Sequence, residues 1–236
     1  MQVTLKNIEK LNYNVLSFHF ESDKPLGYTA GQFIELYLPD NNPDNRGPKR
    51  WFTLSSSPSQ ELLTITTKFT PQQGSDFKNH LHSLVVGDKV EVSEAMGDFV
   101  LPRDHSIPLI FVAGGIGVTP YVSMVKWLID NKESREVKII IAANTPEDIL
   151  FKELFTKYSK KFIEVISFPP AGWNGETGRL TGEKIIELVG PIDNQLIYLS
   201  GPEQMVEALE ADLLKSGINK NQLVGDFFPG YKADLS

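Results

Sequence analysis

The spacing of apolar residues changes once along this chain, and that change limits the folds open to it. Over roughly the first hundred residues, apolar and polar side chains alternate in short runs: Tyr13–Phe20, Gln32–Leu38, Trp51–Ser55, Leu62–Phe69 and Lys89–Val92. A period of two belongs to a strand buried on one face. Turn-forming clusters separate the runs, at Asp23-Lys24-Pro25, Asp40-Asn41-Asn42-Pro43, Ser57-Pro58 and Gly87-Asp88. Several short strands at this spacing predict an antiparallel barrel or sandwich. One helix is expected among them, from Ser75 to Leu84, with Ser75 or Asp76 as its cap.

From Ile107 onward the runs become continuously apolar. Pro108–Val112, Val137–Ala142, Phe162–Ile166, Gln195–Leu199 and Gln222–Phe227 read as strands. Between them lie helical patterns: through Val122, Val125, Lys126 and Ile129, near Asp148–Tyr158, over Gly182–Val189 and over Pro202–Leu214. Apolar strands alternating with amphipathic helices indicate a parallel sheet with crossover helices. The expected class is β + α/β. An N-terminal antiparallel β-barrel over residues 1–103 is followed by a parallel-sheet α/β domain over 104–236, the two meeting near Pro102-Arg103-Asp104-His105.

Composition narrows the chemistry. The 236 residues contain no cysteine, which excludes disulfides, thiolate zinc sites, cysteine-ligated iron–sulfur clusters and a cysteine nucleophile. Thirty acidic against 23 basic residues leave a net charge of −7 and no basic stripe, so a nucleic-acid partner is not expected. The apolar runs Ile107–Val118 and Val137–Ala143 are far short of the roughly 20 residues of a membrane span. Met1-Gln2-Val3-Thr4-Leu5-Lys6 has no signal-peptide core, so a cytoplasmic protein is expected. The four histidines show no metal-binding spacing, and His80 and His82, two apart on the predicted helix, do not share a face.

Gly114-Gly115-Ile116-Gly117-Val118-Thr119-Pro120 stands where a strand becomes a helix. Glycines there let the backbone approach a pyrophosphate, and a helix N-terminus offers free N–H groups and about half a positive charge. Thr119 suits the cap and Pro120 the first turn, where Pro120 replaces the third glycine of the common dinucleotide fingerprint. Ser200-Gly201-Pro202 and Asn144-Thr145-Pro146-Glu147-Asp148 follow two more strands. Loops at the carboxyl ends of parallel strands are where α/β sheets bind ligands. A packed turn without a ligand is the plainer alternative for each. In Arg50-Trp51-Phe52-Thr53-Leu54-Ser55-Ser56-Ser57-Pro58, the arginine can clamp a phosphate bidentately and Thr53 can hydrogen-bond a heterocycle edge. Phe52 and Trp51 alternate, so one faces the core. A surface arginine beside a serine turn is the alternative.

In this order, the two motifs resemble those of the ferredoxin–NADP reductase superfamily of FAD-containing NAD(P)H oxidoreductases. Arg50-Trp51-Phe52-Thr53 is similar to that family's Arg-x-Tyr-Ser/Thr segment, with phenylalanine for the usual tyrosine. The resemblance implies Arg50 on the FAD pyrophosphate, Trp51 and Phe52 in the flavin segment with Phe52 against the isoalloxazine or ribityl chain, and Thr53 near flavin N5. Thr67-Lys68-Phe69 and Gly74-Ser75-Asp76-Phe77 resemble the second flavin segment. Gly31-Gln32-Phe33 and Gly97-Asp98-Phe99 are similar to structural motifs of the family barrel. Gly114, Gly115, Gly117, Val118, Thr119 and Pro120 resemble the nicotinamide-nucleotide turn, with Asn144 in a neighbouring loop. Ser200-Gly201-Pro202 resembles the family's Cys-Gly-Pro, placing Ser200 by the nicotinamide. Asp226-Phe227-Phe228 resembles its closing Glu-x-aromatic. Thr53, Ser200 and Asp226 are thereby the implied catalytic set, and Phe228 or Tyr231 the aromatic covering the flavin.

The activity so implied is hydride transfer from NAD(P)H to bound FAD, then electron transfer to ferredoxin, flavodoxin or a partner enzyme. Reduction of free flavin is an alternative, and a non-catalytic nucleotide-binding module is another. The loop Asn144–Asp148 has no arginine or lysine for a 2′-phosphate and carries Glu147 and Asp148, which favours NADH; Arg179 acts against this if it folds toward the ribose.

Overall fold

A computed structural model describes residues 1–39, 47–69 and 75–228, with the backbone alone at 227 and 228. Among these residues the chain forms two compact units, one of residues 1–101 with 119–130 and one of residues 102–118 with the residues from 131 onward.

The first unit contains β1 (Gln2–Lys10), β2 (Val15–Ser22), β3 (Phe33–Tyr37), β4 (Lys49–Thr53), β5 (Leu63–Lys68), α1 (Asp76–Ser83) and β6 (Lys89–Val92). The strands pair antiparallel in the order β4-β3-β6-β1-β2-β5. A bridge from Leu54 to Ile65 and the bond from Ser55 N to Thr64 O (2.8 Å) join the continuation of β4 to β5. That contact closes the sheet and removes its edges, as expected for a barrel. Leu5, Phe18, Ile34, Leu36, Leu54, Ile65 and Leu81 fill the interior. β1 escapes a period-two search because a bulge between Leu5 and Asn7 moves the next apolar residue to Ile8. α2 (Thr119–Asp130) completes the unit. Its Tyr121 lies 6.0 Å from the Phe99 ring, and Met124 sits so close to Gly31 that a Cβ there would meet the methionine methyl at 2.6 Å. Gly31 also has φ +103, so both space and backbone require glycine.

The second unit contains β7 (Leu109–Gly114), β8 (Val137–Ala143), α3 (Lys152–Tyr158), β9 (Lys161–Ile166), β10 (Glu176–Thr177), α4 (Gly182–Val189), β11 (Leu196–Pro202), α5 (Glu203–Lys215) and β12 (Leu223–Phe228). All pairs are parallel, in the order β10-β9-β8-β7-β11-β12. The chain runs outward from β7 through β8 and β9, then returns to build β11 and β12 on the other side. The strand order therefore reverses between β7 and β11, where a crevice opens at the strand carboxyl ends. The helix expected over Asp148–Tyr158 is broken. A 3₁₀ turn covers Pro146–Asp148, and Phe151 adopts φ +55 before α3 starts. Near the start of this unit Arg135 pairs with Glu133 and donates to the carbonyl oxygens of Pro102 (3.0 Å) and Asp104 (3.4 Å). Its buried guanidinium thus has partners on several sides, which a buried charge requires.

Candidate functional site

In the first unit the fold draws three separated segments together. β4 turns Trp51 outward, 60% exposed and 5.7 Å from the Phe33 ring, and turns Phe52 inward, 8% exposed. Phe52 stacks on Phe77 of α1 with ring centroids 6.0 Å apart. Arg50 lies over the other partner of that pair, its Cζ 5.1 Å from the Phe77 centroid. The guanidinium is thereby held at the first turn of α1, a cation–π geometry. It also donates to the carbonyl oxygens of Gly47 (2.7 Å) and Lys49 (2.6 Å). Ser75 caps the helix, its Oγ accepting from Lys78 N at 3.3 Å. Lys78 Nζ donates to the Lys68 carbonyl at 2.5 Å, and Phe69 meets the edge of His82 at 5.1 Å. The first turns of α1 thus gather these segments: Phe77 touches Phe52 and Arg50, Lys78 reaches the Lys68 carbonyl and His82 meets Phe69, with Ser75 and Asp76 opening the helix. Gly74 lies outside the described residues, as do Tyr231 and the Phe228 side chain.

Thr53 and Thr67 are buried at 5% and 1% exposure beside an unusually polar seam. Ser17 Oγ and Ser55 Oγ each lie 2.8 Å from Thr66 Oγ1, and Tyr28 Oη lies 2.8 Å from Ser56 Oγ. Burial pushes the Tyr28 hydroxyl up to about 12, opposed by its bond to Ser56.

In the second unit the two predicted nucleotide turns are packed on each other. A Cβ on Gly117 would strike the Ser200 carbonyl oxygen and come within 2.6 Å of both Cα and N of Gly201. One on Gly114 would meet Met205 Sδ at 2.5 Å, and one on Gly201 its methyl at 2.9 Å. Gly114, Gly117 and Gly201 thus serve close approach, whereas Gly115 has open space and φ +53. Gly115–Val118 form a 3₁₀ turn, and Thr119 and Pro120 open α2. Ser200 is in register with Ala113 on β7 and with Asp226 on β12, so the three positions share one face of the sheet. Its hydroxyl is fully buried and has no hydrogen-bond partner among the described residues. A buried donor left without a partner costs about 1–3 kcal/mol. Pro202 precedes the first turn of α5.

Asn144 lies at the end of β8, where its carbonyl accepts from Phe168 N at 2.8 Å. Asp148 turns back on its own loop, accepting from Thr145 N (3.3 Å) and Oγ1 (3.2 Å). Phe168, 56% exposed, is an aromatic face fixed beside this loop. It was not among the motif residues; an aromatic immediately after a strand at the ligand edge was the missed signal. Among the described residues no group of three metal-ligating side chains converges, and no helix is long and apolar enough to cross a membrane.

The donors present fit an FAD and a nicotinamide nucleotide: a guanidinium at a capped helix start, glycine turns at a sheet switch point, and an unpartnered buried hydroxyl. Comparison with known proteins agrees. Residues 111–211 match the family described as the oxidoreductase NAD-binding domain. The chain is 29% identical over 229 residues to flavohemoprotein A of Dictyostelium discoideum, covering 91% of this chain and 57% of that protein. It is 28% identical over 234 residues to NADH-cytochrome b5 reductase 1 of Aspergillus clavatus, covering 93% of this chain and 75% of that one. The structure of a ferredoxin NADP+ reductase from Neisseria gonorrhoeae with bound FAD and NADP superposes with TM-score 0.80 at 17% identity, over 96% of this chain and 98% of that one. Residues 111–211 thus match the oxidoreductase NAD-binding domain family, and the antiparallel barrel and the parallel switch-point sheet are those of the ferredoxin–NADP reductase fold.

Proposed function

We propose that this chain takes hydride from NADH onto FAD and passes the electrons to a protein acceptor. The observation that carries the reading is the buried, unpartnered Ser200 hydroxyl at the switch point. It offers a hydrogen bond to a nicotinamide carboxamide, and Asp226 stands in register beside it. FAD, when bound, supplies the redox chemistry: it accepts a hydride and releases electrons singly or in pairs.

The work left to the protein is binding, orientation and exclusion of water. Arg50, at the capped start of α1, would hold the FAD pyrophosphate, with Ser75 and Asp76 flanking it. Thr53, buried at the end of β4, would orient the flavin ring edge. The turn from Gly114 to Pro120 would take the coenzyme pyrophosphate, and Phe168 would give the adenine a stacking face beside Asn144. The loop Asn144–Asp148 carries Glu147 and Asp148 and no cation, which disfavours a 2′-phosphate and supports NADH over NADPH. The similarity to NADH-cytochrome b5 reductase 1 supports a protein as acceptor.

The test is the visible spectrum of the purified protein, followed by anaerobic addition of NADH and NADPH separately. A bound-flavin spectrum bleached by NADH at lower concentration than by NADPH is expected. A protein that takes up no FAD, or whose flavin neither nucleotide bleaches, would falsify the reading.

A further inference from the structure

One face of α2 is polar, and it holds a single segment. Ser123, Lys126 and Asp130 follow at spacings of three and four, which places them on one side of a helix. Ser123 Oγ donates to the Ser56 carbonyl at 2.6 Å, and Lys126 Nζ donates to the Ser55 carbonyl at 3.2 Å. Asp130 Oδ2 accepts from Ser59 Oγ at 2.6 Å, and that hydroxyl lies 2.6 Å from Ser57 Oγ. All of these residues belong to the first unit. The segment so pinned begins two residues after Thr53, and the helix that pins it begins at Thr119 and Pro120.

Lys126 is the unexpected member. Burial pulls its amine below the ordinary lysine value, with Glu9 and Asp130 acting weakly the other way. Among the described residues its hydrogen bond goes to a neutral carbonyl and not to a carboxylate. A half-buried cation whose hydrogen bond goes to a neutral carbonyl gains less than one paired with a carboxylate, and an apolar side chain of similar length would cover the same surface. Folding alone therefore does not account for an ammonium at this position. A carbonyl held by a charged donor, however, is held more firmly than by a neutral one.

We propose that Lys126 is a positioning residue for hydride transfer: with Ser123 it fixes the carbonyls of Ser55 and Ser56, and so the strand end bearing Thr53, against the helix that starts at Thr119. This rests on the reading of the site as a flavin reductase. The charge serves the geometry of the reacting groups at the expense of stability, a trade common where a site needs exact placement.

The experiment compares wild type with Lys126→Met, Lys126→Arg and Ser123→Ala, each loaded with FAD. Two quantities are read: the melting temperature of the FAD-loaded protein without nucleotide, and the anaerobic rate of flavin bleaching across NADH concentrations. Lys126→Met should melt at or above the wild-type temperature. Its bleaching rate at saturating NADH should fall about tenfold, with the half-saturating NADH concentration changed less than about twofold, because placement and not ground-state binding is lost. Lys126→Arg, which keeps the cationic donor, should recover most of the rate, and Ser123→Ala should slow the same step. A Lys126→Met protein that bleaches at the wild-type rate overturns the proposal. So does one that is slow but melts lower and is not rescued by arginine, which marks an ordinary packing contact. Wild-type protein that binds no FAD or is bleached by neither nucleotide overturns the site reading itself, and that result is visible before any variant is compared.

Discussion

Replacing Gly117 by alanine isolates the contact on which the nucleotide site depends. The added Cβ would stand 2.6 Å from both Cα and N of Gly201 and against the Ser200 carbonyl. Carbon atoms in ordinary contact are about 3.5 Å apart, so the two turns must separate by about 0.9 Å. Every opposing atom is backbone, so no side chain can rotate away. Forcing an extra methyl into a packed site costs about 1–3 kcal/mol, which in a chain of this size lowers the melting temperature by roughly 2–12 °C. The functional loss should be larger, because a displacement of about 1 Å at reacting groups costs about a hundredfold in rate. Melting curves and anaerobic bleaching by NADH measure the two effects. Gly27→Ala is the control: its Cβ meets nothing within 4 Å and its φ is not positive, so it should melt and react like wild type. A Gly117→Ala protein indistinguishable from that control would refute the argument that the two turns must touch for the coenzyme to be placed.

Other outcomes follow from the same geometry. Ser200→Ala should melt at the wild-type temperature or slightly above, since a buried orphan hydroxyl is removed, while kcat/KM for NADH falls roughly three- to tenfold; a drop in stability with unchanged kinetics would contradict this. Arg50→Ala should weaken FAD about 10- to 100-fold in a fluorescence titration, the value of a charge-assisted phosphate contact, and Arg50→Lys should restore only part; unchanged FAD affinity would remove Arg50 from the site. Burial holds the hydroxyls of Tyr28 and Tyr198 up to about 12 against an ordinary 10.0. The folded state thus retains their protons longer than the unfolded one, so the stability they contribute is intact below pH 10 and lost as pH rises from 10 toward 12. Denaturation midpoints across that interval should fall, and Tyr28→Phe should flatten part of the slope; an unchanged slope would deny Tyr28 that role.

The sequence carries the local information well. Alternation in Leu62–Phe69 and the continuous apolar run Val137–Ala142 mark strands, and these lie at β5 and β8; β5 is nevertheless buried on both faces, because Thr64 and Thr66 point into a polar seam and not into solvent. The cap is legible as Ser75 or Asp76 because a short polar side chain reaches back to the helix N–H groups; the structure uses Ser75. Where the signal failed, a tertiary contact had replaced it. β1 breaks its period at a bulge between Leu5 and Asn7, and β10, Glu176–Thr177, is exposed throughout and has no apolar residue to announce it. The broken helix after Pro146 turns on Phe151, whose left-handed backbone no propensity anticipates.

By itself, the sequence determined the two fold classes, the order of the glycine and arginine motifs, the absence of thiol chemistry and the acidic character of the loop Asn144–Asp148. These are properties of periodicity and residue type, which survive in one dimension. Only the tertiary structure decided that Phe77 carries Arg50, that Gly117 exists to admit Gly201, that Ser200 has no partner and that α2 packs with the barrel through Ser123, Lys126 and Asp130. Each of those depends on distances between residues far apart in the chain, where close packing allows one arrangement and the local pattern allows many.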